Sequence, residues 1–199
     1  MIGRMRTALR LLVLVAWSLP VPAQEGPRLI EIADTARVRI ETSLGDIVVE
    51  LDAVRAPMTV ENFLQYVVDG HYDGTIFHRV AAAFLVQGGG YLPDLTLKPA
   101  TRSVVNESGN GLSNQRGTIA MARSNEPHAA NSQFYFNLVD NILLNPRPTR
   151  WGYAVFGEVV SGMEVVDSIG SVPTGGGGEF DRDVPVETIL IERITLLSE

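Results

Sequence analysis

The chain has 199 residues, enough for one domain with a sizeable core, and carries 16 Lys and Arg against 23 Asp and Glu, a formal net charge of −7. That sign argues against nucleic acid as a partner, because phosphate binding wants the opposite charge. With no cysteine in the chain, thiol catalysis, disulfides, thiolate metal sites and lipid attachment through an N-terminal Cys are excluded, and the protein is indifferent to an oxidising compartment.

Residues 1–23 read as a secretory signal peptide. Arg4, Arg6 and Arg10 form a basic start, Leu11 to Leu19 a short apolar stretch, and Val21-Pro22-Ala23 a small-residue cleavage site. The apolar stretch is short of the roughly 20 residues a spanning helix needs, so stable membrane insertion is not expected after its removal. Cleavage would lower Lys plus Arg from 16 to 13 while all 23 acids stay, leaving a net charge of −10. Residues 24–36 show no periodicity and form a loose lead-in to a single domain, 37–199.

That domain opens with a hairpin: Arg37 to Thr42 and Asp46 to Leu51 flank Ser43-Leu44-Gly45. Pro57 to Gly70 reads as a helix, with Val60, Phe63, Leu64, Val67 and Val68 spaced along one face and Gly70 as its stop. Short β-prone runs follow at Thr75–Val80, Phe84–Gln87, Gly117–Ala122, Gln133–Asn137 and Ala154–Val160. A second helix is expected over Gly162–Ile169, then a flexible surface loop over Thr174–Gly178, then a closing strand over Glu187–Leu197. Many short strands with two helices suggest a mainly β closed barrel or sandwich.

The run from Phe77 to Gly90 concentrates the chemistry. Arg79 and Gln87 are eight apart, so an ideal strand would turn both to one face unless a bend intervenes, and Ala82-Ala83 supplies a bend. A permanent cation beside the apolar Phe84 and Leu85 is costly unless it works on a ligand. Gly117 to Arg123, Asn131 to Asn137 and Trp151 to Val159 complete the set. FHR…F-x-x-QGG, then MAR…SQFY, then YAVFGEVV, in this order and spacing, resemble the cyclophilin-type peptidyl-prolyl isomerases from about Val38 to about Leu197. The stretches Asn110 to Arg123 and Gly152 to Gly157 resemble the bacterial exported members in particular.

The resemblance implies a closed eight-stranded antiparallel β-barrel capped by two α-helices, and cis–trans isomerisation of X-Pro bonds in proline-containing polypeptides without metal or cofactor. It makes Arg79 the catalytic arginine and Gln87 the amide that orients it. Phe84, Leu85, Tyr135, Leu144 and Tyr153 match the proline pocket. Ala122, Arg123 and Ser124 match the short strand that pairs with the peptide backbone, Gln133 a further contact, and Leu143 a position at the pocket rim. There are departures from the family pattern. Tyr135 replaces Phe and brings a hydroxyl, Arg123 replaces Asn, Ala82-Ala83 replaces Pro-Gly, and Leu143 replaces the Trp or Phe of many members. The family binds cyclosporin, and Leu143 offers less apolar face and no indole donor, so weak cyclosporin binding is expected. The resemblance to exported members implies an exported, in a Gram-negative host periplasmic, folding enzyme.

Phe134 and Phe136 alternate with Gln133 and Tyr135 and are expected in the core. His78 follows the same alternation from Arg79 and is expected on the opposite, structural face, and His128 solvated in a polar loop. Asn106-Glu107-Ser108 matches a glycosylation acceptor, a pattern common by chance. A proline-peptide binding module with little turnover is the alternative function. Intact Arg79 argues against it, and the absence of G-x-S-x-G, H-E-x-x-H or Cys–His arrangements argues against a hydrolase.

Overall fold

The computed structural model describes residues 34–198, so the expected signal peptide and most of the lead-in lie outside it. In chain order the elements are β1 (Thr35–Thr42), β2 (Gly45–Asp52), α1 (Pro57–Val68), β3 (Thr75–Ala81), β4 (Leu85–Tyr91), β5 (Thr118–Met121), β6 (Phe134–Asn137), β7 (Val155–Ser161), α2 (Met163–Gly170), β8 (Thr174–Gly177), β9 (Phe180–Pro185) and β10 (Leu190–Leu197). Eight strands close an antiparallel barrel in the order β1-β10-β3-β4-β6-β5-β7-β2, and β8 pairs with β9 alone. No helix among the described residues is long and apolar enough to cross a membrane.

Period-two patterning closes the barrel. Val38 and Ile40 of β1 and Ile47, Val49 and Leu51 of β2 are fully buried, alternating with more exposed neighbours. The barrel interior and the inner faces of both helices share one core. In it Phe63 of α1 packs edge-on against Phe134 of β6 at 5.7 Å, and Val166 and Ile169 of α2 join the same cluster.

Helix α1 is closed at both ends. The Glu107 carboxylate accepts from the backbone N–H groups of Met58 at 3.2 Å and Thr59 at 2.8 Å, supplying acceptors and negative charge where a helix N-terminus lacks the first and favours the second. At the other end Gly70 takes φ +65, while the N–H groups of Gly70 and His71 return to the carbonyls of Val67 and Tyr66. Val60, Phe63, Leu64 and Val67 are buried as expected, but Val68 is 44% exposed. The buried arc is rotated toward Thr59, Asn62 and Tyr66. Asn62 Nδ2 donates to the Asn131 carbonyl, and Tyr66 Oη both donates to the Arg102 carbonyl and accepts its N–H. Val68 falls just outside that arc.

The expected flexible loop at Thr174–Gly178 is instead strand β8 and its turn. A Cβ on Gly177 or Gly178 would come within 3.0 Å of the Leu95 side chain, and Gly178 has φ +55 at the turn. The glycine run therefore serves close packing and a left-handed turn, not flexibility.

Candidate active site

Strands β3 and β4 form a hairpin in which Arg79 and Gln87 stand directly opposite each other. The bend expected at Ala82-Ala83 is the hairpin turn: the N–H of Phe84 bonds to the carbonyl of Ala81, and Ala83 takes φ +54. Register then carries one row across five strands, Arg79 to Gln87, Gln87 to Tyr135, Tyr135 to Ala120, Ala120 to Val155. Residues paired in this way share a face of the sheet. The row runs from a cation through an amide to apolar carbon.

The polar end borders a cavity of about 530 Å³ lined by Arg79, Gln87, Gln133 and the Ala122–Ser124 segment. Gln87 Nε2 donates to Gln133 Oε1 at 2.9 Å, and Arg79 Nη1 makes a long 3.5 Å bond to Gln87 Oε1. Gly90 makes room for this chain of amides, since a Cβ there would sit 2.4 Å from the Gln133 side chain. The Arg79 side chain is 37% exposed, and its Nε lies 3.6 Å from Asp183 Oδ2.

At the apolar end Leu85, Ala120, Ala122, Tyr135 and Val155 form a cluster separate from the barrel core, with Phe84, Leu112, Leu144 and Tyr153 packed against it. Ala122 belongs to both the cluster and the cavity wall, so the two regions abut. The Tyr135 hydroxyl is absorbed by a partner: Oη donates to Asn114 Oδ1 at 2.7 Å, and burial pushes the phenol well above its ordinary range.

Four of the expected site residues have surroundings the motifs do not convey. Strand β5 ends at Met121, so Ala122–Ser124 follow it outside any strand, and the Ala122 N–H is taken by the Gln133 carbonyl at 2.9 Å. The Arg123 guanidinium braces the wall: it donates to the Gly152 and Trp151 carbonyls and lies 4.6 Å over the Tyr153 ring. Leu143, on a 3-10 turn at Ile142–Leu144, is 64% exposed, and its carbonyl accepts from Arg150 Nη2. It stands outside the cavity lining, while its neighbour Leu144 enters the apolar cluster.

His78 does not keep to the opposite face. Phe77 pairs with Gly88 and Arg79 with Gln87, leaving one extra residue in β3. This bulge breaks the alternation, and His78 lines the same cavity as Arg79. It is 2% exposed, and burial with the neighbouring Arg79 charge lowers its pKa to about 4, so the ring is neutral near pH 7. His128 is exposed in its loop as expected, with its Nδ1 accepting the Asn106 N–H at 3.0 Å. The Asn106 amide is buried and donates to the Pro127 and Gly152 carbonyls, each at 3.0 Å, so a glycan there would cost both bonds. Sequence reasoning missed Tyr91 at the end of β4, Phe180 and Asp183, which reach the site from the distant β9, and Asn114. Only Asn114 left a signal: a Tyr in an apolar pocket requires an acceptor for its hydroxyl.

Comparison with known proteins agrees with this geometry. Residues 37–196 match the family "cyclophilin type peptidyl-prolyl cis-trans isomerase/CLD". The chain is 51% identical over 163 residues to the peptidyl-prolyl cis-trans isomerase cyp18 of Streptomyces antibioticus, covering 80% of this chain and 98% of that one. It is 48% identical over 162 residues to peptidyl-prolyl cis-trans isomerase B of Escherichia coli, with the same coverage of 80% and 98%. A cyclophilin-type isomerase from Cryptosporidium parvum, solved in the presence of the dipeptide Ala-Pro, superposes with a TM-score of 0.70 at 29% identity, covering 82% of this chain and 99% of its own. The chain therefore belongs to the cyclophilin-type peptidyl-prolyl cis-trans isomerases. Its reaction is the cis–trans exchange of peptide bonds that precede proline.

Proposed function

We propose that Arg79 performs this isomerisation on proline-containing segments of exported polypeptides. The supporting observation is the cross-strand row in which Arg79 and Gln87 lead directly into the apolar cluster around Tyr135. A proline ring resting on Leu85, Tyr135 and Tyr153 brings its imide nitrogen toward the Arg79 fork.

The physical problem is amide resonance, a barrier of about 18–20 kcal/mol that makes uncatalysed exchange take roughly 10–100 s. In the twisted transition state the nitrogen regains a lone pair. A donor aimed at it binds that state better than the planar one, which is the condition for catalysis. Arginine suits the task because it stays charged and presents a rigid fork. Bringing tens of seconds to milliseconds requires about 10⁴-fold, or about 5–6 kcal/mol. One charge-assisted hydrogen bond supplies about 1.5–3 kcal/mol. The remainder comes from fixing the ring on the apolar cluster while the preceding carbonyl rotates. Gln87 and Gln133, already bonded to each other, hold Arg79 and offer polar contacts to the peptide backbone.

Export is the reading that the N-terminal 23 residues support, with release into the periplasm in a Gram-negative host. Exchange spectroscopy on an X-Pro peptide, at enzyme levels far below the peptide, measures the activity. Intact mass of the protein recovered from its own host measures the export. The mature chain is expected to begin at Gln24. Met1–Ala23 retained in a membrane fraction would show an anchor instead.

A further inference from the structure

The β8–β9 hairpin reaches the site from about a hundred residues beyond Arg79, and its contacts are specific. Phe180 packs its ring 5.6 Å from His78 and 5.1 Å from Tyr91. Tyr91 Oη donates to Glu179 Oε1 at 2.7 Å. These contacts fix the hairpin on the β3–β4 wall of the cavity. Next to them the hairpin breaks its own register. Between the pairs Gly175–Val184 and Gly177–Phe180, the single residue Gly176 faces Asp181, Arg182 and Asp183. Within this bulge Asp183 takes φ +69, a region non-glycine residues rarely occupy. Outliers of this kind persist where the surroundings over-determine them.

The outlier carries the carboxylate beside the site's cation. Asp183 Oδ2 lies 3.6 Å from Arg79 Nε, and Asp183 is only 24% exposed. Gln87 Oε1 holds Nη1 at 3.5 Å. Two of the three guanidinium nitrogens are thus engaged from two directions, by β9 and by β4. Nη2 has no protein partner among the described residues. Among the described residues the other cation at Asp183 is Arg182, at 4.0 Å with its own side chain 86% exposed, a weaker claim on the carboxylate.

We propose that Asp183 is a positioning residue. It orients Arg79 through Nε so that the outer edge of the fork stays aimed at the substrate imide nitrogen. A long arginine stem holds no single geometry unaided, and catalysis by one donor depends on where that donor sits. The hairpin is in this view a part of the catalytic apparatus, and the glycine run exists to let it dock. The inference rests on the isomerase reading of Arg79.

The test uses Asp183→Gly. Glycine accepts the positive φ without cost, so this change deletes the carboxylate while sparing the backbone. With saturating X-Pro peptide, kcat should fall about 10-fold and KM should stay within about twofold, because the lost contribution is made in the transition state and not in ground-state binding. The Nε–H resonance of Arg79 should lose its dispersed position and exchange faster with water. Asp183→Asn keeps an oxygen acceptor and tolerates the same φ, and should recover most of the kcat. The proposal is overturned if Asp183→Gly keeps its kcat, if kcat falls while the Arg79 resonance is unmoved, or if Asp183→Asn is as slow as Asp183→Gly. A wild-type protein without isomerase activity would instead remove the underlying reading, and the Arg79 resonance distinguishes the cases because it is read without turnover.

Discussion

Two neighbouring rows of the same strands have opposite fates. The row Val80, Val86, Phe136, Ile119, Gly157 crosses β3, β4, β6, β5 and β7 facing inward; its four side chains are hydrocarbon and buried, and Gly157 has no room for one. One residue along each strand of the β3–β4–β6–β5 set, the row Arg79, Gln87, Tyr135, Ala120, Val155 faces outward and grades from charge to apolar carbon. The pleat separates them on these four strands, and the register shift between β5 and β7 does so at Val155 and Gly157. The barrel wall therefore carries stability on one side and the site on the other. Substitutions in the two rows should fail in different ways.

The largest stability effect belongs to the inner row. Phe136→Ala leaves a cavity among fully buried neighbours and should cost about 3–5 kcal/mol in urea unfolding, with turnover per folded molecule little changed. A cost below about 1 kcal/mol would erase the distinction between the rows.

His78 sits where the bulge interrupts the alternation, and it links the site to pH. Its folded pKa of about 4 lies below the ordinary 6.5, so the unfolded chain binds the proton more readily. Stability from this group is fully present above about pH 6.5 and is lost as pH falls toward 4, by up to about 3 kcal/mol. Activity, carried by an always-charged arginine beside a neutral ring, should stay nearly flat between about pH 6 and 8. Unfolding midpoints that do not fall from pH 7 to pH 4, or a rate that titrates near 6.5, would contradict this assignment.

Leu143 lies outside both rows, exposed on the 3-10 turn beside Leu144. Replacing it with Trp restores a broad apolar face and an indole donor, and should tighten cyclosporin by about 1–3 kcal/mol, roughly 5- to 150-fold. Turnover should change far less. Unchanged inhibitor affinity would show that position 143 does not meet the inhibitor. The smallest effect is at the hairpin turn that brings the outer row together. Ala83 stands at φ +54, and Ala83→Gly relieves that strain while adding entropy to the unfolded chain. The net should be a gain of about 0.5 kcal/mol in the same unfolding assay. A loss would mean that the methyl group packs in a way that outweighs the strain.

Much of this was legible because periodicity and turn chemistry are local. Each of the eight barrel strands and both helices coincides with a run visible in the sequence, and Arg79, Gln87, Gln133, Leu85 and Tyr135 meet as the motifs imply. What escaped was set by tertiary contacts. The bulge that turns His78 into the cavity is a register event between strands, not a property of the residues FHR. The glycine run reads as a loop until Leu95 is placed against it. Nor does the sequence show that the Arg123 guanidinium is tied to the carbonyls of Trp151 and Gly152 while the residue lines the cavity. Asp183 carried no local signal, since its partner lies 104 residues earlier.

The central claim is that one guanidinium at the end of the outer row drives the isomerisation. The direct measurement is the exchange rate of an X-Pro peptide with wild type, Arg79→Ala and Arg79→Lys, each first shown to unfold at the same urea concentration. Arg79→Ala should lose about 10²–10³ in rate, by analogy with deleting an oxyanion donor. Arg79→Lys should recover little of it, because an ammonium lacks the planar fork. A folded Arg79→Ala protein that isomerises the peptide at the wild-type rate would contradict the account.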